Sequence, residues 1–176
     1  MVRHYLCTAL VALAMAPSVF AGPDDFHAGS VIKDFGRVAA VKGATALDEN
    51  ATFKVAFDIS EAAKPGQISR RLESAARLIN MHHAAGVPAA NTQVAIVVHG
   101  GASKDLVNDK KYGDKNANAA LVSALIDAGV HITLCGQTAA YYDIEVGDLL
   151  PGVTMGVSAM TAHALLQQAG YTLNPF

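Results

Sequence analysis

Apolar and polar positions alternate over residues 52–59, where Phe53, Val55, Phe57 and Ile59 interleave with Lys54 and Asp58. A period of two built from β-branched and aromatic side chains predicts a strand. Past the turn at Lys64-Pro65-Gly66 the period changes. Ile68, Leu72, Ala75 and Ile79 recur at helical spacing, Arg70, Arg71, Glu73 and Arg77 take the wet side, and Gly86 and Pro88 close the helix. Residues 94–98 are almost continuously apolar, the pattern of a strand buried on both faces. Residues 102–115 are polar and leave room for one helical turn around Leu106. Ala120, Leu121, Ala124, Leu125 and Ala128 then predict a second amphipathic helix ended by Gly129, and an apolar strand at 131–134 follows at once. A short helix at 138–142, a connection at 148–152 and a strand at 153–157 come next. Ser158 caps a last helix that runs through Ala169 to Gly170, and 171–173 predict an edge strand.

Strands that alternate with helices in this way predict an α/β domain: a mainly parallel sheet of four to five strands, reached by right-handed crossovers, with helices on its faces. No internal repeat interrupts it. Residues 22–51 show neither period and are expected to form an arm lying on a single domain made by residues 52–176.

The first 21 residues change the compartment. Arg3, an apolar run at 6–15 and the small-residue pattern Val19-Phe20-Ala21 read as a cleavable export signal, cut after Ala21 and too short to anchor in a bilayer. A periplasmic or secreted product is expected. Cys7 leaves with the signal, so the mature chain of about 155 residues holds one thiol, Cys135, and can form no internal disulfide. Losing Arg3 leaves 12 basic residues against 15 acidic, a net charge of about −3 with no basic stripe. Nucleic acid is an unsuitable partner for such a chain, and no other apolar run reaches the length of a membrane span.

Cys135 ends an apolar strand and is followed by Gly136-Gln137-Thr138 and a helix. Open α/β sheets bind their ligands at that edge, and a thiol near a helix N-terminus ionises more readily. The competing reading is that Cys135 merely fills the core, as free cysteines commonly do. His99 ends the neighbouring strand and can share the same edge as base or anion partner; alternatively it bonds the loop at Gly100-Gly101. Gly100, Gly101, Gly136, Gln137 and Tyr142 are the further pocket candidates. His82 and His83 follow the apolar stripe of the first helix and read as packing residues, so no metal site is expected. The segment around Ser158 lacks the second glycine of a nucleophile elbow, and His99-Gly100-Gly101 lacks dinucleotide spacing, so no cofactor is expected either.

The run VAIVVHG at 94–100, AGVHITLCG at 128–136 and DLLPG at 148–152, in that order, resembles the DsrE/DsrF-like family, relatives of sulfur-relay subunits, over roughly residues 52–175. The resemblance implies a three-layer α/β/α domain, assembly into trimers or hexamers, and a cysteine at position 135 that takes up sulfur as a persulfide. Relay subunits are cytoplasmic, whereas this chain reads as exported and carries an extra arm. The leading expectation is a periplasmic carrier that accepts sulfane sulfur on Cys135 and passes it to a thiol of a partner protein, since no second cysteine can resolve it internally. Its rival is a non-catalytic ligand-binding or assembly module with the same fold. A thiol hydrolase using His99 as base ranks last for want of an orienting acid. Transfer requires a sulfur that solvent can reach and that ionises readily.

Overall fold

The strands β1 (Phe53–Ile59), β2 (Thr92–Val98), β3 (His131–Cys135), β4 (Thr154–Gly156) and β5 (Thr172–Asn174) form one sheet in the order β4-β3-β2-β1-β5, with every pairing parallel. The computed structural model describes residues 22–174; the expected export signal with Cys7, and residues 175–176, lie outside them. Between the strands run α1 (Arg70–Ala84), α2 (Asp109–Tyr112), α3 (Ala119–Asp127), α4 (Gly136–Tyr141) and α5 (Ala159–Gln168). None of these helices is long and apolar enough to cross a membrane.

Strand order decides which helix covers which face. From β1 to β4 each crossover steps the same way, so right-handed connections put α1 and α3 on one side. Phe57, Ile96 and Ile132 from the sheet pack there with Leu72 and Ile79 of α1 and Leu121 of α3, all in one buried core. The step from β4 back to β5 runs the other way, and α5 accordingly crosses the opposite face over β2, β3, β4 and β5. Alternation along the strands supplies that face with the small buried residues Ala56, Ala95 and Val97, which let α5 lie close. It also aims Asp58 and Cys135 to the α5 side, because their chain neighbours Phe57, Ile59 and Leu134 belong to the opposite core.

The sequence pattern differs from the structure chiefly in the polar stretch after β2. Residues Gly100–Leu106 form a 3-10 helix and Asp109–Tyr112 a single α turn, fastened by Asn108, whose side chain accepts the Lys111 N–H at 3.0 Å. Ala102 and Leu106 are fully buried, so this loop closes the core from above. His82 fills a packing position as expected: its ring lies 4.2 Å from that of Phe53, and Nδ1 meets the Thr92 hydroxyl at 3.1 Å.

Residues 22–51 lie along α1. A two-residue antiparallel bridge joins His27 and Val38, and Ile32 and Val38 are buried against the domain. The clamp is Asn80, itself buried in α1. Its Oδ1 accepts the Ile32 N–H at 3.0 Å, and its Nδ2 donates to the carbonyls of Ile32, Phe35 and Gly36 at 2.9 to 3.0 Å. Gly36, at φ 66°, brings the arm so near the helix that a Cβ there would sit 2.4 Å from the Arg77 amide nitrogen.

Candidate active site

Cys135 occupies the last position of β3 and the N-cap of α4, with extended backbone (φ −64°, ψ 118°). The next residue must be glycine for a steric reason. A Cβ on Gly136 would lie 2.4 Å from the carbonyl oxygen of Gly156 and 3.0 Å from that of Val157, so the chain leaving β4 presses directly on the start of α4. That closeness carries the first turn of α5 to the sulfur.

Burial alone raises the Cys135 thiol pKa, but hydrogen bonds from the Thr138 N–H and hydroxyl and from the N–H groups of Ala159 and Gln137 outweigh it, and the thiol ionises below its ordinary range. Two helix starts therefore converge on one sulfur. The Thr138 hydroxyl works on both sides, since its oxygen accepts the Gly100 N–H at 3.0 Å while its proton points to the sulfur. Cys135 keeps only 6% of its surface accessible, yet it lines a cleft of about 480 Å³ whose walls include Gln137, Ser158 and Ala159. The Ser158 oxygen accepts the Thr161 N–H at 3.0 Å, which fixes the start of α5.

The other wall of the cleft carries charge. Pairing of Val98 with Leu134 places His99, one residue on, beside Cys135 at the sheet edge. Its Nε2 meets Asp58 at 3.3 Å, and from α5 the Nε2 of His163 reaches the same carboxylate at 2.8 Å. Burial pushes the Asp58 pKa up, and the hydrogen bonds and charge interactions of His163 and His99 more than reverse this, so Asp58 stays ionised to lower pH than an ordinary carboxyl. With both Nε2 atoms donating to Asp58, each ring presents Nδ1 as its other nitrogen. In His163 that atom is buried and has no protein partner.

Of the residues singled out by sequence position, Cys135, His99 and Gln137 line the cleft together. Gly136 stands behind it as the close-approach residue, and the Gly100 N–H supports Thr138 from below. Gly101 lies near the Ser60 carbonyl and Tyr142 packs edge-on against Tyr141, both outside the cleft lining. Asp58 and His163 escaped notice, and with Asp58 the acid that a His99 base would need is present. None of the hydrogen bonds that favour the thiolate comes from an imidazole, however. Among the described residues no group of three or more His, Cys, Asp and Glu side chains is placed to hold a metal ion.

This hydrogen-bond pattern gives a measurable reactivity. Iodoacetamide should alkylate Cys135 in the folded chain with a midpoint pH below that of the same thiol in denaturant, because the native state favours the thiolate. Thr138→Val removes one donor, and since a net hydrogen bond is worth about 1 kcal/mol, alkylation at neutral pH should slow roughly fivefold. Equal rates in the two chains would mean that the hydroxyl does not stabilise the anion.

A parallel α/β/α domain with one amide-cradled cysteine at the carboxyl edge of its sheet defines the class: a single-thiol domain whose nucleophile sits at a strand-to-helix junction. The chain belongs to the DsrE/DsrF-like family, whose model matches residues 54–175. Two solved structures share its fold. One is MTH1491 from Methanobacterium thermoautotrophicum, a protein of unknown function, at 22% identity and a TM-score of 0.54, the match covering 69% of this chain and 97% of that one. The other is the ychN protein from E. coli, at 16% identity and a TM-score of 0.50, with the same 69% and 97% coverage. No curated protein matches the sequence.

Proposed function

We propose that the protein is an exported sulfur carrier that holds sulfane sulfur as a persulfide on Cys135. The observation that supports this reading best is a sulfur whose thiolate is favoured by amides from two helix starts and which is set in the wall of a cleft. In the forward step the Cys135 thiolate attacks the outer sulfur of a donor persulfide, an S–S bond forms as the donor S–S bond breaks, and the donor leaves as a thiolate. His99, oriented by Asp58 through Nε2, keeps Nδ1 free in the cleft to take the proton of the thiol that attacks in the return step. In the return step the thiol of a partner protein attacks the outer sulfur of the Cys135 persulfide. Family membership makes a sulfur-relay role plausible, and the export-type first 21 residues support a periplasmic site of action.

Assembly belongs to the same proposal. No residue of α5 is buried, Leu165 stands exposed on it and Val157 is exposed just before it, an arrangement suited to covering by further copies of the chain.

Incubation of the folded chain with a hydropersulfide should add one sulfur mass, mapped to Cys135, removed by a reductant and absent in Cys135→Ser. Native mass spectrometry of the same sample should show trimers or hexamers. An unloaded Cys135 that alkylates only after denaturation would replace the carrier by a non-catalytic binding module, and a monomer would remove the assembly part.

A further inference from the structure

Resting on the carrier reading, we infer that the cleft takes its sulfur from a low-charge organic persulfide, a sulfane sulfur borne on an uncharged carbon group, and discriminates against inorganic dianions such as thiosulfate. The walls decide this. No lysine or arginine is among the residues that line the cleft, and its one carboxylate, Asp58, adds negative charge a short way from the Cys135 thiolate. Lys54 lies on the same sheet face, but its ammonium is engaged with the Ala169 carbonyl at 3.0 Å and lies 5.7 Å from the centre of the Tyr171 ring. The amides of Gln137, Thr138 and Ala159 are directed at the Cys135 sulfur itself and are thereby committed. A sulfonate group brought to this thiolate would therefore meet like charge with no lysine or arginine to offset it. Apolar surface is what the cleft offers instead: Ala159, Met160 and Leu173 line it, and Met160 is 81% exposed.

Leaving groups separate the two donors further. With an alkyl hydropersulfide, the Cys135 thiolate takes the outer sulfur, giving Cys–S–SH and an alkyl thiolate of one negative charge that leaves for solvent. With thiosulfate the same attack gives Cys–S–S⁻ and expels sulfite as a dianion, so all three negative charges stay in the cleft until sulfite leaves. Catalysis of the second reaction calls for a cation at the departing sulfonate, and the lining supplies no lysine or arginine, while both of its imidazoles give Nε2 to Asp58.

The test measures loading of the full chain by intact mass with propyl hydropersulfide and with sodium thiosulfate, each rate divided by the rate of the same donor with N-acetylcysteine. The normalised preference for propyl hydropersulfide should be about tenfold or more, and thiosulfate loading should rise with salt as repulsion is screened. Met160→Lys, which puts a cation into the cleft wall, should raise thiosulfate loading several-fold and so shrink the normalised preference for propyl hydropersulfide. Equal normalised rates in the wild-type chain, or a Met160→Lys chain with the wild-type ratio, would overturn the inference and leave the carrier reading intact. Failure of both donors to load would instead defeat the carrier reading itself.

Discussion

A Gly136→Val chain is expected to lose about 3 kcal/mol of stability and to alkylate Cys135 roughly tenfold more slowly at neutral pH. The steric cause is unusually hard. Even a single methyl at position 136 would stand 2.4 Å from the Gly156 carbonyl oxygen, and both obstacles are backbone rather than flexible side chain. Relief requires β4 to retreat from α4, and the pairing of Cys135 with Gly156 is the contact that would open. Because α5 begins three residues later, the Ala159 N–H would withdraw from the sulfur at the same time. Stability and reactivity should therefore fall together. Gly147→Ala, where a Cβ meets nothing within 4 Å, serves as the control and should change neither. Denaturant unfolding and iodoacetamide kinetics on the same preparations read both effects. A Gly136→Val chain indistinguishable from wild type would show that β4 does not bear on α4 as described.

Asn80→Leu should cost about 3 kcal/mol and free the arm. Leucine keeps the branching of asparagine but offers no hydrogen bonds, so the Ile32 N–H and the carbonyls of Ile32, Phe35 and Gly36 all lose their partner at one stroke. What remains to hold the arm is the burial of Ile32 and Val38, the Glu73 carboxylate on the Gly36 N–H at 3.3 Å, and the Arg77 side chain on the Arg37 carbonyl at 3.1 Å. These are fewer and more exposed. Limited proteolysis should then cut within residues 28–40 before the domain unfolds, whereas the wild-type arm should survive to the global transition. If the Asn80→Leu arm resists as long, burial alone secures it.

How much of this could be read from the chain depends on how local each cause is. All five strands and the four longer helical segments show in the sequence because each carries its own period, and the strand-end rule led straight to Cys135 and His99. The same rule reaches Asp58, which stands one residue from the carboxyl end of β1, but in an alternating strand that position is indistinguishable from any other polar one. His163 gave no local sign, since 105 residues separate it from Asp58 and only the reversal of sheet direction before β5 brings α5 over the site. Asn80 could have been noticed: it lies four residues after Ala76 and eight after Leu72, on the buried stripe of α1, where a polar side chain requires partners. Its partners are in the arm, which has no period at all.

The late return of α5 across the sheet has a further bearing on synthesis. Ala159 and His163 are contributed by the last helix, so a nascent polypeptide that has yet to add α5 carries a thiol that lacks one of its activating amides and a carboxylate that lacks one of its two histidines. Such latency holds the sulfur back from premature capture, and full nucleophilicity emerges only once α5 has docked on the sheet.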